Sequence, residues 1–292
     1  MKGESMIIVT GATGALNGAT VDHLLDRLPA SEIVVAVRDT AKAERFARRG
    51  VEVRRGDYAD PASLPTAFAG ADQLLLVSSN DPVEDVTALH RAAVDAAVAA
   101  GVKRIVYISH QAAAPDNPFA PGRSHFATEQ LLAASGIAWT SLRNGFYAHS
   151  LPWFAGPWRE TGVIAVPGDG PVSWTAREDA AEAAAAILAS DGGYDGPTTL
   201  TASAAPTFVE IAEIASELSG RTIRCRPTDE AEWIAAQVAA GVPEQRTRFL
   251  LGFYRAARDG FFAGVDPLLG ELLGRAPRDA RDALRAAAGS DS

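Results

Sequence analysis

An α/β fold, a doubly wound parallel sheet with a smaller, mostly helical C-terminal lobe, is predicted by three features of this sequence. Apolar runs of strand length alternate with stretches of helical period through the first half. A glycine-rich turn separates the first such strand from the first such helix, and the regularity loosens after about residue 150. Repeated βα units of this kind form a parallel sheet with helices covering both faces.

The elements follow in order. Residues 6–10 are the first apolar run, and Leu16, Val21, Leu24, Leu25 and Leu28 then share one helical face. Residues 33–37 are nearly all branched, as a strand buried on both faces should be. Residues 51–55 make a weaker third strand, and Asp60-Pro61 reads as a helix N-cap with proline at the first helical position. A fourth strand covers 74–77, an alanine-rich helix 84–100 stops at Gly101, and a fifth strand covers 105–108. Beyond a loop with Pro115, Pro118 and Pro121 come a helix over 125–135 and a strand over 139–142. Further helices are expected over 176–189, 208–218, 230–240, 244–258 and 265–273, with a strand over 198–201 and a frayed end from 286.

Bulk properties narrow the function. Lys and Arg number 27 against 36 Asp and Glu, a formal net charge of −9, so no nucleic-acid partner is expected. The single Cys225 excludes an internal disulfide and reads as an inert part of a strand in a reducing cytoplasm. No apolar run approaches the roughly 20 residues that span a bilayer. The first residues also lack the apolar region and cleavage site of a secretory signal, so a cytoplasmic protein with no membrane partner is expected. His23, His90, His110, His125 and His149 show no ligand spacing, and no metal is expected.

Ligands on open parallel sheets bind beyond the carboxyl ends of the strands, which selects the candidate residues. The first turn reads Gly11-x-x-Gly14-x-x-Asn17-Gly18, after a strand and into a helix. Glycines there let the backbone approach a pyrophosphate that the helix N-terminus stabilises, the signature of a Rossmann-type dinucleotide site. Thr10, Gly11, Thr13, Gly14, Ala15 and Leu16 are the expected contacts. Asn17 stands where a third glycine would fall, so packing is looser there or Gly18 compensates.

Arg38 follows the second strand, where an NAD site offers Asp or Glu to the ribose. A guanidinium matches the 2′-phosphate of NADPH bidentately, with Lys42 one turn on, so NADPH is expected over NAD. Asp39 works against that charge, and a solvated arginine at a loop start is the competing reading. Asp57 is placed to accept from the adenine amino group, Ser78 and Ser79 to admit the nicotinamide half, and Ser109, closing the fifth strand, is a further expected cofactor contact. Two domains are thus expected, an NAD(P)-binding domain over 1–150 and a substrate lobe over 151–292. Part of 176–202 returns to the first.

Several segments together carry a family resemblance. They are Val9-Thr-Gly-Ala-Thr-Gly14, Val37-Arg38, Gly56-Asp57-Tyr58 and Val102-Lys-Arg-Ile-Val-Tyr-Ile-Ser109. Next come His125-x-x-Thr128-Glu129, Ser135-Gly-Ile-x-x-Thr140-x-Leu-Arg-Asn-Gly145 and Gly168-Asp-Gly170. The chain resembles the NmrA-like, atypical short-chain dehydrogenase/reductases over residues 6–225. It is most similar to their quinone oxidoreductase and triphenylmethane reductase branch. The resemblance implies an NADPH-binding reductase of small electron acceptors, or a non-catalytic NADP(H)-sensing regulator that contacts a protein.

The usual catalyst of short-chain dehydrogenases, a Tyr four residues before a Lys, is absent. Tyr58, Tyr107, Tyr147, Tyr194 and Tyr254 are each followed there by another residue. This argues against alcohol dehydrogenation and sugar-nucleotide epimerisation, which need a positioned acid and base. Quinone reduction asks chiefly for proximity, because the oxyanion formed is resonance-stabilised. His125 is the catalytic candidate, to orient or protonate an acceptor oxygen; a surface His125–Glu129 pair is the competing reading. His110, Asn144, Phe146 and Tyr147 are the candidate acceptor contacts, whereas packing is favoured for Trp153 and Trp158. The expected partner is a small-molecule electron acceptor; a homodimer is allowed but not required.

Overall fold

The computed structural model describes residues 5–79, 85–190 and 193–289. The chain divides into two compact units. The first holds the residues up to Ser109 with Ser124–Arg143 and Ala180–Thr198; the second holds His110–Arg123, Asn144–Asp179 and the chain from Thr199.

In chain order the early elements are β1 (Ile7–Thr10), α1 (Ala15–Leu25), β2 (Ile33–Val37), α2 (Glu44–Ala47), β3 (Glu52–Arg55) and α3 (Leu64–Phe68). They continue as β4 (Gln73–Leu76), α4 (Val86–Ala99), β5 (Arg104–His110), α5 (Ala120–Ala134) and β6 (Ala138–Asn144). Next are β7 (Phe146–Tyr147), α6 (Leu151–Ala155), α7 (Trp158–Thr161), β8 (Val163–Val166), β9 (Trp174–Thr175), α8 (Arg177–Ala189) and β10 (Gly196–Leu200). The chain ends with α9 (Phe208–Ser219), β11 (Arg224–Pro227), α10 (Glu230–Ala239), α11 (Glu244–Arg258), α12 (Leu268–Leu273) and α13 (Ala280–Gly289).

The central sheet runs β10-β6-β5-β4-β1-β2-β3, a doubly wound sheet of the class expected. β1 pairs in parallel with both β2 and β4, setting Ile7 opposite Ile33 and Gln73. The strand order turns back between β1 and β4, the switch point at which such sheets bind ligands. Every residue of β1 and β2 is buried, which explains why all but Thr10 are apolar. One core of this unit gathers Ile8, Val34, Phe68, Leu74, Ile105 and Leu132, each worth about 1.5–3 kcal/mol of burial.

The helix expected from 125 begins earlier, at Ala120. Pro121 lies in its first turn, where a missing N–H and a fixed φ are no handicap. Gly122 follows so close to Asn117 that a Cβ would stand 2.5 Å from its Nδ2. The expected start at Glu84 lies outside the described residues.

Four short strands escape the sequence pattern: β8 pairs with β11 and β7 with β9. Cys225 does sit in a strand, β11, opposite Ile164. The chain end expected to fray from 286 is instead helical to Gly289 in α13. Asp279 Oδ1 accepts from the backbone N–H of Arg281 and Asp282, and Ala280 and Leu284 are buried. Residues 290–292 lie outside the described residues. An aromatic core fills this unit, with Phe154, Trp174, Phe208, Phe253 and Phe262 buried together. Among the described residues no helix is long and apolar enough to cross a membrane.

Candidate functional site

A cavity of about 590 Å3 opens in the first unit at the carboxyl ends of β1, β2, β3 and β4. Thr10, Gly11, Thr13 and Gly14 line it from the first turn. Arg38, Asp57, Ser78 and Ser79 line it from the ends of the next three strands. Ala15 and Leu16 form the first turn of α1. Lys42 and Ser109 are not in its wall: Lys42 is exposed, and the Ser109 hydroxyl donates to Glu129 at 2.8 Å.

The turn owes its shape to particular residues. Gly11 has φ 63°, and a Cβ there would stand 2.6 Å from Val77 Cγ1. The Gly14 N–H donates to the Gly11 carbonyl at 2.9 Å. Asn17 is buried and donates from Nδ2 to the Thr10 carbonyl at 2.8 Å, tying the helix back to β1. Gly18 takes the close packing, since its Cβ would stand 2.9 Å from the Ala12 carbonyl oxygen. Both positions thus share what a third glycine would do.

Tyr58 also lines the cavity, a placement that nothing in its sequence neighbourhood announces. Its hydroxyl stands 2.7 Å from Thr10 Oγ1 and 3.2 Å from the Val77 carbonyl oxygen. Thr10 Oγ1 donates to the Leu75 carbonyl at 3.0 Å and accepts from the Val77 N–H at 2.9 Å. Burial pushes the Tyr58 hydroxyl well above its usual value, so it acts as a neutral clamp between strand ends.

The charge pattern fits a dinucleotide bearing an extra phosphate. Helix α1 has no side-chain cap and no acid in its first turn, which leaves its leading N–H groups for an anion. Arg38 is exposed in the wall, and no carboxylate among the described residues pairs with it. Asp39, the neighbour expected to oppose it, accepts from the Ala41 N–H at 3.1 Å and faces Lys42 at 3.8 Å. Asp57 Oδ1 accepts from the Ala59 N–H at 3.1 Å.

A buried polar network adjoins Ser78 and Ser79. The Ser79 N–H donates to His90 Nε2 at 2.8 Å, and His90 Nδ1 lies 2.7 Å from Thr128 Oγ1. With Nε2 accepting, Nδ1 carries the proton. Burial lowers His90 to about 4, so the ring stays neutral. The Tyr107 hydroxyl stands 2.8 Å from His125 Nδ1. Burial pushes this hydroxyl up, against hydrogen bonds with Ser78 and Thr128.

Glu129 does not form the solvated surface pair envisaged with His125. It is 2% exposed and accepts from Ser109 at 2.8 Å, Ser141 at 2.6 Å and the Arg143 guanidinium at 2.5 Å.

The acceptor candidates lie together in the second unit. Asn144 Nδ2 donates to the Tyr147 hydroxyl at 3.2 Å, and Asn144 Oδ1 is buried without a partner. His110 meets Phe146 and Phe262 edge-on at 5.4 and 5.5 Å, and burial lowers it to about 4. Phe146 packs on Phe253 at 4.7 Å within the aromatic core, more as filler than as a free stacking surface. Trp158 is buried as expected, whereas Trp153 is 50% exposed rather than packed away.

No Tyr–Lys pair forms from distant segments among the described residues. Lys42 faces Asp39, and Lys103 pairs with Asp72 at 2.5 Å.

The NmrA-like family model matches residues 3–260. Quinone oxidoreductase 2 of Escherichia coli (strain K12) is 37% identical over 273 residues, 92% of this chain and 94% of that protein. The crystal structure of an NADPH-dependent quinone oxidoreductase from Escherichia coli complexed with NADPH superposes with TM-score 0.86 at 34% identity. The match covers 97% of this chain and 99% of that one. The Citrobacter sp. triphenylmethane reductase complexed with NADP(H) gives TM-score 0.83 at 34% identity, with the same coverage of 97% and 99%.

Proposed function

The chain belongs to the NmrA-like family, and from that membership and the cavity we propose an NADPH-dependent reductase of quinones or similarly conjugated small acceptors. The observation that carries the proposal is one cavity holding both an uncapped helix N-terminus and Arg38, which no carboxylate among the described residues pairs with. The leading N–H groups of α1 would hold the pyrophosphate and Arg38 the 2′-phosphate, two anions served by two separate donor sets. Asp57 would accept from the adenine amino group, and Ser78 and Ser79 leave room for the nicotinamide half. Bound NADPH supplies the hydride.

The protein's own part in the chemistry is small. The Tyr107 hydroxyl holds His125 through Nδ1 at 2.8 Å, and the ring held in this way is the group proposed to orient an acceptor oxygen. The anion left by hydride addition to a quinone is delocalised, and its proton comes from water. His125 therefore orients and stabilises more than it titrates. Asn144 and Tyr147 are the polar groups proposed for the acceptor, and His110 and Phe146 shape the apolar surface around them.

The test is NADPH oxidation on adding simple benzoquinones and naphthoquinones to the purified chain. Sustained turnover with each proton and hydride accounted for as hydroquinone is expected. Tight NADPH binding with no turnover across quinones and conjugated dyes would overturn the proposal in favour of an NADP(H) sensor.

A further inference from the structure

A second cavity, of about 900 Å3, lies wholly within the second unit, walled by α6, β8, β11, α10 and the start of α11. That volume suits one drug-sized ligand, and the proposed reduction makes no use of it. Trp153 stands in its wall, 50% exposed, with the Arg246 guanidinium carbon 5.1 Å from the ring centroid. No carboxylate among the described residues pairs with Arg246, whereas Arg226 on the same wall faces Glu232 at 3.6 Å. Trp233 is buried beneath, and Thr228 Oγ1 is buried there without a hydrogen-bond partner.

Each of these features offers something that a ligand can meet. A large half-exposed indole leaves apolar surface in water. A buried hydroxyl without a partner is a donor and acceptor that a ligand can satisfy. Arg246, with no carboxylate partner among the described residues, makes a local positive spot on a molecule of net charge −9. One kind of molecule answers all three: flat enough to stack on the indole, anionic for Arg246, and able to hydrogen-bond Thr228. We infer that this cavity binds a planar aromatic carboxylate or sulfonate, stacked on Trp153 with its charge at Arg246. The inference stands independently of the proposed reduction, since it uses no residue of the dinucleotide cavity.

The test uses 8-anilinonaphthalene-1-sulfonate as the anionic probe and N-phenyl-1-naphthylamine as its neutral counterpart, followed by fluorescence with the full chain. The sulfonate should saturate at one per chain, and saturating NADPH should not displace it. Arg246→Gln should weaken it by about tenfold while leaving the neutral probe within about twofold, the loss expected of a charge-assisted contact beside a ring. Trp153→Ala should weaken both probes. NADPH affinity should be unchanged in both variants, which separates this site from the dinucleotide cavity. Non-saturating binding, displacement by NADPH, or an affinity untouched by Arg246→Gln would overturn the inference. So would sedimentation showing that Trp153→Ala dissolves a dimer, since the cavity wall would then be covered by a second copy.

Discussion

The Tyr107 hydroxyl stands 2.8 Å from His125 Nδ1, joining a buried strand residue to a half-buried ring on α5. The contact commits one ring nitrogen and fixes where the ring stands. Tyr107→Phe removes this contact, and His125→Ala removes the ring. Both are expected to lower kcat with a benzoquinone by about tenfold, below the usual range for general acids because the quinone needs no proton in advance. The NADPH Kd should not move. Unchanged kcat in His125→Ala would remove this residue from the proposed chemistry.

Arg38 should separate the two nicotinamide cofactors. Arg38→Ala is expected to weaken NADPH by about 10–100-fold, the size of a lost charged hydrogen-bond set, while leaving NADH within about twofold. Titration of the wild type and variant with each cofactor checks this. Equal losses would mean that Arg38 does not read the 2′-phosphate.

Gly11→Ala should damage both fold and binding. The residue would be strained at φ 63° and its Cβ would collide with Val77 Cγ1 at 2.6 Å. A loss of about 1–3 kcal/mol in denaturant unfolding is expected, with weaker NADPH binding. Gly14→Ala is the control: its φ is −81° and its nearest neighbour 3.3 Å away, so its stability cost should be smaller.

The pH dependence of stability should carry a histidine signature. His90 is lowered from 6.5 to about 4 by burial, so on acidification the unfolded chain takes up its proton first. The stabilisation is complete above pH 6.5 and is lost as pH falls toward about 4, a change of about 3 kcal/mol. His110, lowered by burial to the same value, acts in the same window and sense. Urea unfolding at several pH values should show His90→Gln with a shallower slope than wild type through this window. An identical slope would place the titrating groups elsewhere.

Glu129→Gln removes the charge that Arg143 needs while keeping the shape. The Arg143 side chain is only 24% exposed, so the variant is expected to lose about 3 kcal/mol, the low end for breaking a buried pair. Chemical denaturation measures it. A loss below about 1 kcal/mol would show that Arg143 finds solvent instead.

Much of the first unit was legible because its physics is local. The branched run at 33–37 and the Gly11–Gly14 turn each announce themselves within a few residues. Strand-end placement then brought Arg38, Asp57, Ser78 and Ser79 to one cavity with Thr10 and the turn. The misses depend on contacts distant in sequence. Tyr58 matters through Thr10, 48 residues away. Glu129 read as a surface partner for a neighbour one turn back, but its partners lie on β5 and β6. The strands β7, β8, β9 and β11 are two to four residues long, too short to show a period. Trp153 could not be told from Trp158, since exposure of an indole depends on what packs above it.

The Glu129 carboxylate also has a bearing on the accuracy of folding. Ser141 and Arg143 are two apart on β6 and so project from the same face. Sliding β6 by one residue along β5 would turn both away and strand a bare charge in the apolar interior. Correct alignment and one misaligned by a single residue therefore differ by much more than apolar contact alone would give. A carboxylate that takes no part in the proposed chemistry works as a register key for the strand leading to Asn144.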